Sequence, residues 1–127
     1  MAISTLHGLY LLLDEQFSVK VSLVDTMKLA VEYGVRLFQY RNKKDSMTDC
    51  FRKGRILRQV ALDAEATFIV NDRCDLALAL EADGVHLGQA DFPVELARKI
   101  VGEEKVIGVS THCYEEVEVA NNNGADY

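Results

Sequence analysis

The sequence has 127 residues, of which 49 % are hydrophobic and 27 % charged, and this composition indicates a folded globular domain rather than a disordered chain. The net charge of −6 argues against a nucleic-acid-binding module, because phosphate backbones are bound by an excess of lysine and arginine. No apolar run approaches the roughly 18–20 residues that span a bilayer. We therefore expect no nucleic-acid partner and no membrane partner.

Three cysteines, Cys50, Cys74 and Cys113, are too few and too widely spaced for a disulfide framework or a Cys-x-x-Cys zinc site. They indicate a reducing compartment, with buried free thiols. The first eight residues lack the basic region and cleavage site of a signal peptide. We therefore expect a cytoplasmic protein.

Strand-like apolar runs alternate with amphipathic helical runs along the whole chain. The first strand, over residues 8–13, is almost continuously apolar, which is typical of a parallel strand covered on both faces. The other strands are predicted over residues 35–40, 67–70, 84–87 and 105–109. Helices are predicted over residues 22–33, 46–64, 74–81, 93–101 and 114–122.

This βα unit occurs five times without a linker, so residues 1–127 form a single α/β domain with parallel strands and helical crossovers. Two architectures fit the pattern. One is a (β/α)₈ barrel, or TIM barrel, truncated to about five βα units. The other is a five-stranded doubly wound parallel sheet. The pattern alone leaves both open.

Chemically useful polar residues follow the second strand. Alternation along an extended chain places Gln39, Arg41 and Lys43 on one side, and an amide with two cations suits a phosphate-rich ligand. The alternative is a solvated basic turn before a helix.

Carboxylates follow the next two strands, at Asp72 after Asn71 and at Asp91. Because these strands are neighbours, the two carboxylates can approach each other beside the cations and form a Mg²⁺–diphosphate site. The alternative is that each group caps the helix that follows it.

The segment after the fifth strand contains Ser110 and His112. A hydroxyl and backbone N–H groups at a helix N-terminus can bind an anion, although Ser110 or Thr111 could equally cap the helix. A Ser–His nucleophile pair lacks the Gly-x-Ser-x-Gly turn that hydrolases use. His86, within the fourth strand, is predicted to lie in the core or the interior of a barrel.

Three segments together resemble the thiamine-phosphate synthase family: QYRNK at 39–43, FIVNDRCDLALALEADGVHLGQADFPVELAR at 68–98 and VIGVSTH at 106–112. The resemblance runs in register from residue 8 to residue 127. It implies a (β/α)₈ barrel. It also implies transfer of a hydroxymethylpyrimidine group from its diphosphate to a thiazole phosphate, giving thiamine phosphate and diphosphate.

The resemblance also implies roles for individual residues. Asp72 and Asp91 would hold Mg²⁺, and Arg41, Lys43 and Ser110 would act on the diphosphate in catalysis. The residues expected to contact the pyrimidine diphosphate are Gln39, Tyr40, Arg41, Asn42, Lys43, Asn71 and Ser110.

Two alternatives to an active synthase remain open at this point. A thiazole tautomerase shares the fold, and the chain could also be an inactive fragment that only binds phosphates or self-associates. The family continues with strands six to eight, whereas this sequence stops as strand six begins, at residues 125–127. We therefore expect the thiazole-phosphate half of the site to be missing and the unpaired strand edges to promote self-association.

Overall fold

A computed structural model describes residues 6–127. Residues 1–5, on which part of the signal-peptide expectation rests, lie outside the described residues. The strands are β1 (Tyr10–Asp14), β2 (Leu37–Arg41), β3 (Thr67–Asn71), β4 (Gly84–Leu87) and β5 (Val106–Val109). The helices are α1 (Leu23–Glu32), α2 (Met47–Asp63), α3 (Cys74–Ala79), α4 (Val94–Val101) and α5 (Tyr114–Asn122), and a 3₁₀ turn, Glu15–Phe17, follows β1.

The ten predicted elements are confirmed, and the bounds differ by at most two residues at either end. The starts of α1 and α2 could be predicted from the sequence because each helix has a serine N-cap. Ser22 accepts a hydrogen bond from the Asp25 N–H, and Ser46 accepts one from the Asp49 N–H. Such side chains satisfy amide groups that have no partner inside the helix.

The five strands form one parallel sheet in the order β1-β2-β3-β4-β5. A doubly wound sheet requires the strand order to reverse at a switch point, so the doubly wound alternative is wrong. Consecutive parallel order with a helix after each strand is the arrangement of a (β/α)₈ barrel, and the chain shows five of its units.

The two faces of the sheet differ in chemistry. The face under the helices holds the main core, with Phe38, Tyr40 and Phe68 each almost completely buried. The opposite face, which corresponds to the interior of a barrel, has a small apolar cluster of Leu37, Ile69 and Val106. Polar side chains follow that cluster toward the carboxyl ends of the strands.

One expectation about burial is wrong: Cys113 is an exposed thiol, whereas Cys50 and Cys74 are buried as predicted. Cys113 is the N-cap of α5, a helix without buried residues. Among the described residues, no helix is long and apolar enough to cross a membrane.

Gly84 on β4 lies so close to β5 that there is no room for a side chain. A Cβ atom there would lie 2.2 Å from the backbone oxygen of Val106 on β5. The strands must separate to accept it, so we expect Gly84→Ala to lower the free energy of unfolding by about 2 kcal/mol, measured by urea denaturation. Gly34→Ala is the matched control, since φ is +93° there but no atom lies within 4 Å, and about 1 kcal/mol is expected. Equal losses in the two variants would contradict the packing at Gly84.

Candidate active site

The carboxyl ends of parallel strands lie at one edge of the sheet, and this edge gathers the predicted site residues. A cavity of about 350 Å³ opens there, between the loops that follow β2, β3 and β4. Six of the predicted residues line it: Tyr40, Asn42, Lys43, Asn71, Asp72 and Asp91. The structure therefore brings the two predicted carboxylates together with a predicted cation.

The centre of this cavity is a cluster of two carboxylates and one ammonium group. Lys43 Nζ lies 3.0 Å from Asp72 Oδ2. Burial raises the pKa of Asp91, and the hydrogen bond to Asp72 and its negative charge raise it further. The Gly88 N–H, 2.7 Å from Asp91 Oδ2, and the charge of Lys43 act in the opposite direction. Asp72 and Asp91 thus lie close to each other, and the charge of Lys43 acts on both.

Neither carboxylate caps a helix, so that alternative is wrong. The N-cap residues of α3, α4 and α5 are Arg73, Pro93 and Cys113, and none of them makes a side-chain capping hydrogen bond. Asp72 and Asp91 line the cavity instead.

The backbone at Asp72 has an uncommon conformation. Its φ is +64°, and its N–H donates a 2.8 Å hydrogen bond to the carbonyl of His86 on β4. Aspartate enters this left-handed region more readily than most residues, but the conformation still costs free energy. A strained turn therefore sets the direction of the Asp72 side chain.

Arg41 lies at the end of β2, outside the 350 Å³ cavity. Its guanidinium donates to Asp14 at 2.6 Å, and Asp14 also accepts a hydrogen bond from the Gln16 N–H. A second cavity of about 290 Å³ is lined by Asp14, Gln16, Arg41, Lys43 and Lys44. Lys43 therefore borders both cavities, and the second cavity is lined by both predicted cations.

Tyr40 and Asn42 direct their hydrogen bonds into the protein. The Tyr40 hydroxyl donates to the Cys50 carbonyl at 3.0 Å, and burial raises the pKa of Tyr40 to about 12. The Asn42 amide donates to Tyr40 and Asp45, while its oxygen accepts from two backbone N–H groups of the loop. These two predicted substrate contacts thus shape the wall of the cavity and fix the β2–α2 loop.

Gln39 and Ser110 are joined by a relay of hydrogen bonds over the interior face of the sheet. The Gln39 amide donates to the Tyr10 hydroxyl at 3.0 Å, and the Tyr10 and Tyr127 hydroxyls are 2.7 Å apart. His86 then lies 3.1 Å from the Tyr127 hydroxyl and 2.8 Å from Ser110 Oγ. Gln39 is 3 % exposed, so it is not part of a solvated turn.

Sequence reasoning missed Asp14, Tyr10 and Tyr127 as members of the site. Their sequence signal was weak: Tyr10 and Asp14 lie in or beside the apolar first strand, and Tyr127 follows a polar segment at the end of the sequence. His86 was correctly placed in the interior, but its link to Ser110 depends on β4 and β5 being neighbours. Burial lowers the pKa of His86, which favours the neutral imidazole that can donate at one nitrogen and accept at the other.

Ser110 and His112, which could have formed a Ser–His nucleophile pair, are not in contact. His112 is 3.2 Å from Glu116, whose carboxylate also accepts the backbone N–H of His112. Ser110 is instead held by His86, and its carbonyl accepts from the Gln89 amide at 2.8 Å. The loops after β4 and β5 are therefore tied together at the site.

Fold and site together define an α/β-barrel type of protein with paired carboxylates and cationic side chains at the strand ends. The family model for thiamine monophosphate synthase matches residues 9–127, and the chain belongs to that family.

Individual relatives agree with this assignment. The thiamine-phosphate synthase of Halalkalibacterium halodurans is 44 % identical over 119 residues, which are 94 % of this chain and 56 % of the relative. That of Methanosarcina barkeri is 46 % identical over 118 residues, 93 % of this chain and 53 % of the relative. The solved thiamine phosphate pyrophosphorylase from Pyrococcus furiosus superposes with a TM-score of 0.84 at 36 % identity, covering 93 % of this chain and 56 % of that one. The chain thus spans slightly more than half the length of these relatives.

The raised pKa of Asp91 predicts a pH-dependent effect of neutralising it. A carboxyl whose folded pKa is raised stabilises the fold when protonated, and this contribution is lost as pH rises through the folded pKa. We expect Asp91→Asn to raise the melting temperature at pH 7 by on the order of 2 °C, because the amide cannot repel Asp72.

The difference should shrink as the pH falls below neutrality and wild-type Asp91 takes up its proton. Calorimetric melting curves across this range test the prediction, with Asp63→Asn on the exposed end of α2 as the control. A stability gain that stays constant with pH would contradict it.

Proposed function

We propose that this chain supplies the pyrimidine-diphosphate and Mg²⁺ half of a thiamine-phosphate synthase. The enzyme would transfer a hydroxymethylpyrimidine group from its diphosphate to a thiazole phosphate. The observation that carries the proposal is the Asp72–Asp91 pair beside Lys43 in the cavity. Membership of the family and the names of the relatives support the same activity.

The residues present fit a magnesium ion. Mg²⁺ prefers oxygen ligands and is commonly held by one or two carboxylates, with waters and substrate phosphates completing the shell. Asp72 and Asp91 supply two such carboxylates, and their mutual repulsion would be relieved by a divalent cation. The described residues contain no group of three or more His, Cys, Asp or Glu side chains that could hold a metal, so phosphate oxygens and water would provide the other ligands.

The reaction depends on the departure of diphosphate from the pyrimidine methylene carbon. Bound Mg²⁺ would neutralise negative charge on the leaving diphosphate. Lys43 adds a mobile ammonium group at the same place, and Arg41 adds a planar donor that can bind two phosphate oxygens. Both cations already lie beside carboxylates. A bound diphosphate would therefore replace a carboxylate as the anionic partner of each cation.

Ser110 and Gln39 orient the substrate. The Ser110 hydroxyl, placed by His86, donates to a diphosphate oxygen, and the Gln39 amide lies on the interior face where the pyrimidine ring would bind. Asn71 lines the cavity next to Asp72 and can hydrogen-bond the pyrimidine. As the carbon–oxygen bond breaks, the methylene carbon becomes strongly electrophilic and the thiazole nitrogen attacks it. That step needs no protein nucleophile and no strong general base.

None of the described residues is proposed to bind the thiazole phosphate.

We propose a cytoplasmic location, because free cysteines such as Cys50, Cys74 and Cys113 are typical of a reducing compartment.

Binding of inorganic diphosphate tests the proposed site. Isothermal calorimetry should show diphosphate binding that requires Mg²⁺, and Asp72→Ala should abolish this Mg²⁺-dependent binding. Arg41→Ala should weaken diphosphate binding about tenfold, because it removes a charge-assisted hydrogen bond.

The matched control is Arg36→Ala. Arg36 lies before β2, at the opposite end of that strand, and within the described part of the chain its side chain donates only to the carbonyls of Val31 and Val35. Its removal should leave diphosphate affinity unchanged. Diphosphate binding that is indifferent to Mg²⁺ would remove the main support for the synthase and favour the tautomerase alternative.

We also propose that the chain self-associates through its sheet edge. Among the described residues β1 pairs only with β2, and two leucines beside this edge, Leu9 and Leu12, are more than half exposed. Unpaired edges with apolar side chains recruit other chains.

Sedimentation velocity should therefore show an average mass that rises with concentration, and Leu12→Lys should reduce the rise. Leu62→Lys, at an exposed position on α2, is the control. A monomer at every concentration tested would contradict self-association.

A further inference from the structure

Lys53 connects three separate segments of the chain behind the candidate active site. It lies on α2, and its Nζ is 2.7 Å from Asp45 Oδ2 and 2.8 Å from Glu15 Oε1. Asp45 belongs to the β2–α2 loop, and Glu15 to the 3₁₀ turn after β1. One ammonium group thus ties both neighbouring loops of the site to a long helix.

This bridge is better sheltered than an ordinary surface ion pair. The Lys53 side chain is 32 % exposed, and the side chains of Glu15 and Asp45 are 14 % and 19 % exposed. The hydrogen bonds to Asp45 and Glu15 raise the pKa of Lys53, and the hydrogen bonds from Asn42 and Lys53 lower the pKa of Asp45. Lys53 and Asp45 therefore stay charged near neutral pH.

The β2–α2 loop, residues 42–46, transmits this anchoring to the phosphate-binding cations. Asp45 also accepts a 2.9 Å hydrogen bond from the Asn42 amide, whose oxygen in turn accepts from the N–H groups of Lys44 and Asp45. Lys43 lies inside this closed set of hydrogen bonds, and Arg41 precedes it. The backbone that carries both cations is thus fixed from behind by Lys53.

We propose that Lys53 is a positioning residue for diphosphate binding. It does not line the 350 Å³ cavity and acts through the loop that presents Lys43 and Arg41. The adjacent Arg52 makes a different contact, an exposed ion pair with Asp49 on its own helix at 3.2 Å. Only Lys53 of these two α2 cations reaches the loop.

The proposal rests on the proposed function, and calorimetry with Mg²⁺ and inorganic diphosphate on the intact protein tests the two separately. Lys53→Met should weaken diphosphate binding about tenfold, in the range found when residues that orient ligands are removed. Lys53→Arg should recover most of the affinity, because a guanidinium can donate to both carboxylates. Arg52→Met is the matched control and should bind like wild type.

Loss of one positive charge could also weaken anion binding at a distance. The double variant Lys53→Met/Glu15→Gln has the net charge of wild type, and positioning predicts that its affinity stays low. Recovery of wild-type affinity in that double variant would overturn the proposal. A lower melting temperature with unchanged diphosphate affinity in Lys53→Met would also overturn it, since that result marks a purely structural role.

Failure of wild type to bind diphosphate with Mg²⁺ would count against the proposed function itself. If Lys53→Met does not fold, the single variants Asp45→Asn and Glu15→Gln replace it. If Lys53 acts through the loop, Asp45→Asn should lose more diphosphate affinity than Glu15→Gln. Equal diphosphate affinities in the two variants would contradict the proposal.

Discussion

Parallel pairing of consecutive strands is the constraint on which the site depends. Because β1 to β5 lie in chain order, every connection between them must cross over as a helix, and every strand ends at the same edge. The residue after β3 therefore lies beside the loop after β4, and Asp72 is brought to Asp91 without either being near the other in sequence.

Charge compensation is the second theme of the site. Arg41 is paired with Asp14, and Lys43 with Asp72, so each proposed phosphate-binding cation already has an anionic partner. Such pairs hold the two long side chains in place at the carboxyl ends of the strands. Asp91 differs from Asp14 and Asp72: no ion pair is found for it among the described residues, and burial and the neighbouring Asp72 raise its pKa.

Much of the fold could be predicted because the local signals agree with one another. Serine caps at Ser22 and Ser46 and apolar runs of strand length marked the elements to within two residues. The roles of individual site residues were harder to predict. Tyr40 and Asn42 are predicted to contact substrate and line the cavity. Their second role, hydrogen bonds that hold the loop, depends on Cys50 and Asp45 being nearby in the fold.

The sequence by itself determined the βα repeat, the two carboxylates, the basic segment after β2 and the family resemblance, because these depend on local pattern and residue type. Only the tertiary structure decided between barrel-type and doubly wound order, since both have the same local periodicity. It also decided which charges meet. Lys53 with Glu15 and Asp45, and His86 with Ser110, are pairs created by strand order and helix packing, which periodicity does not encode.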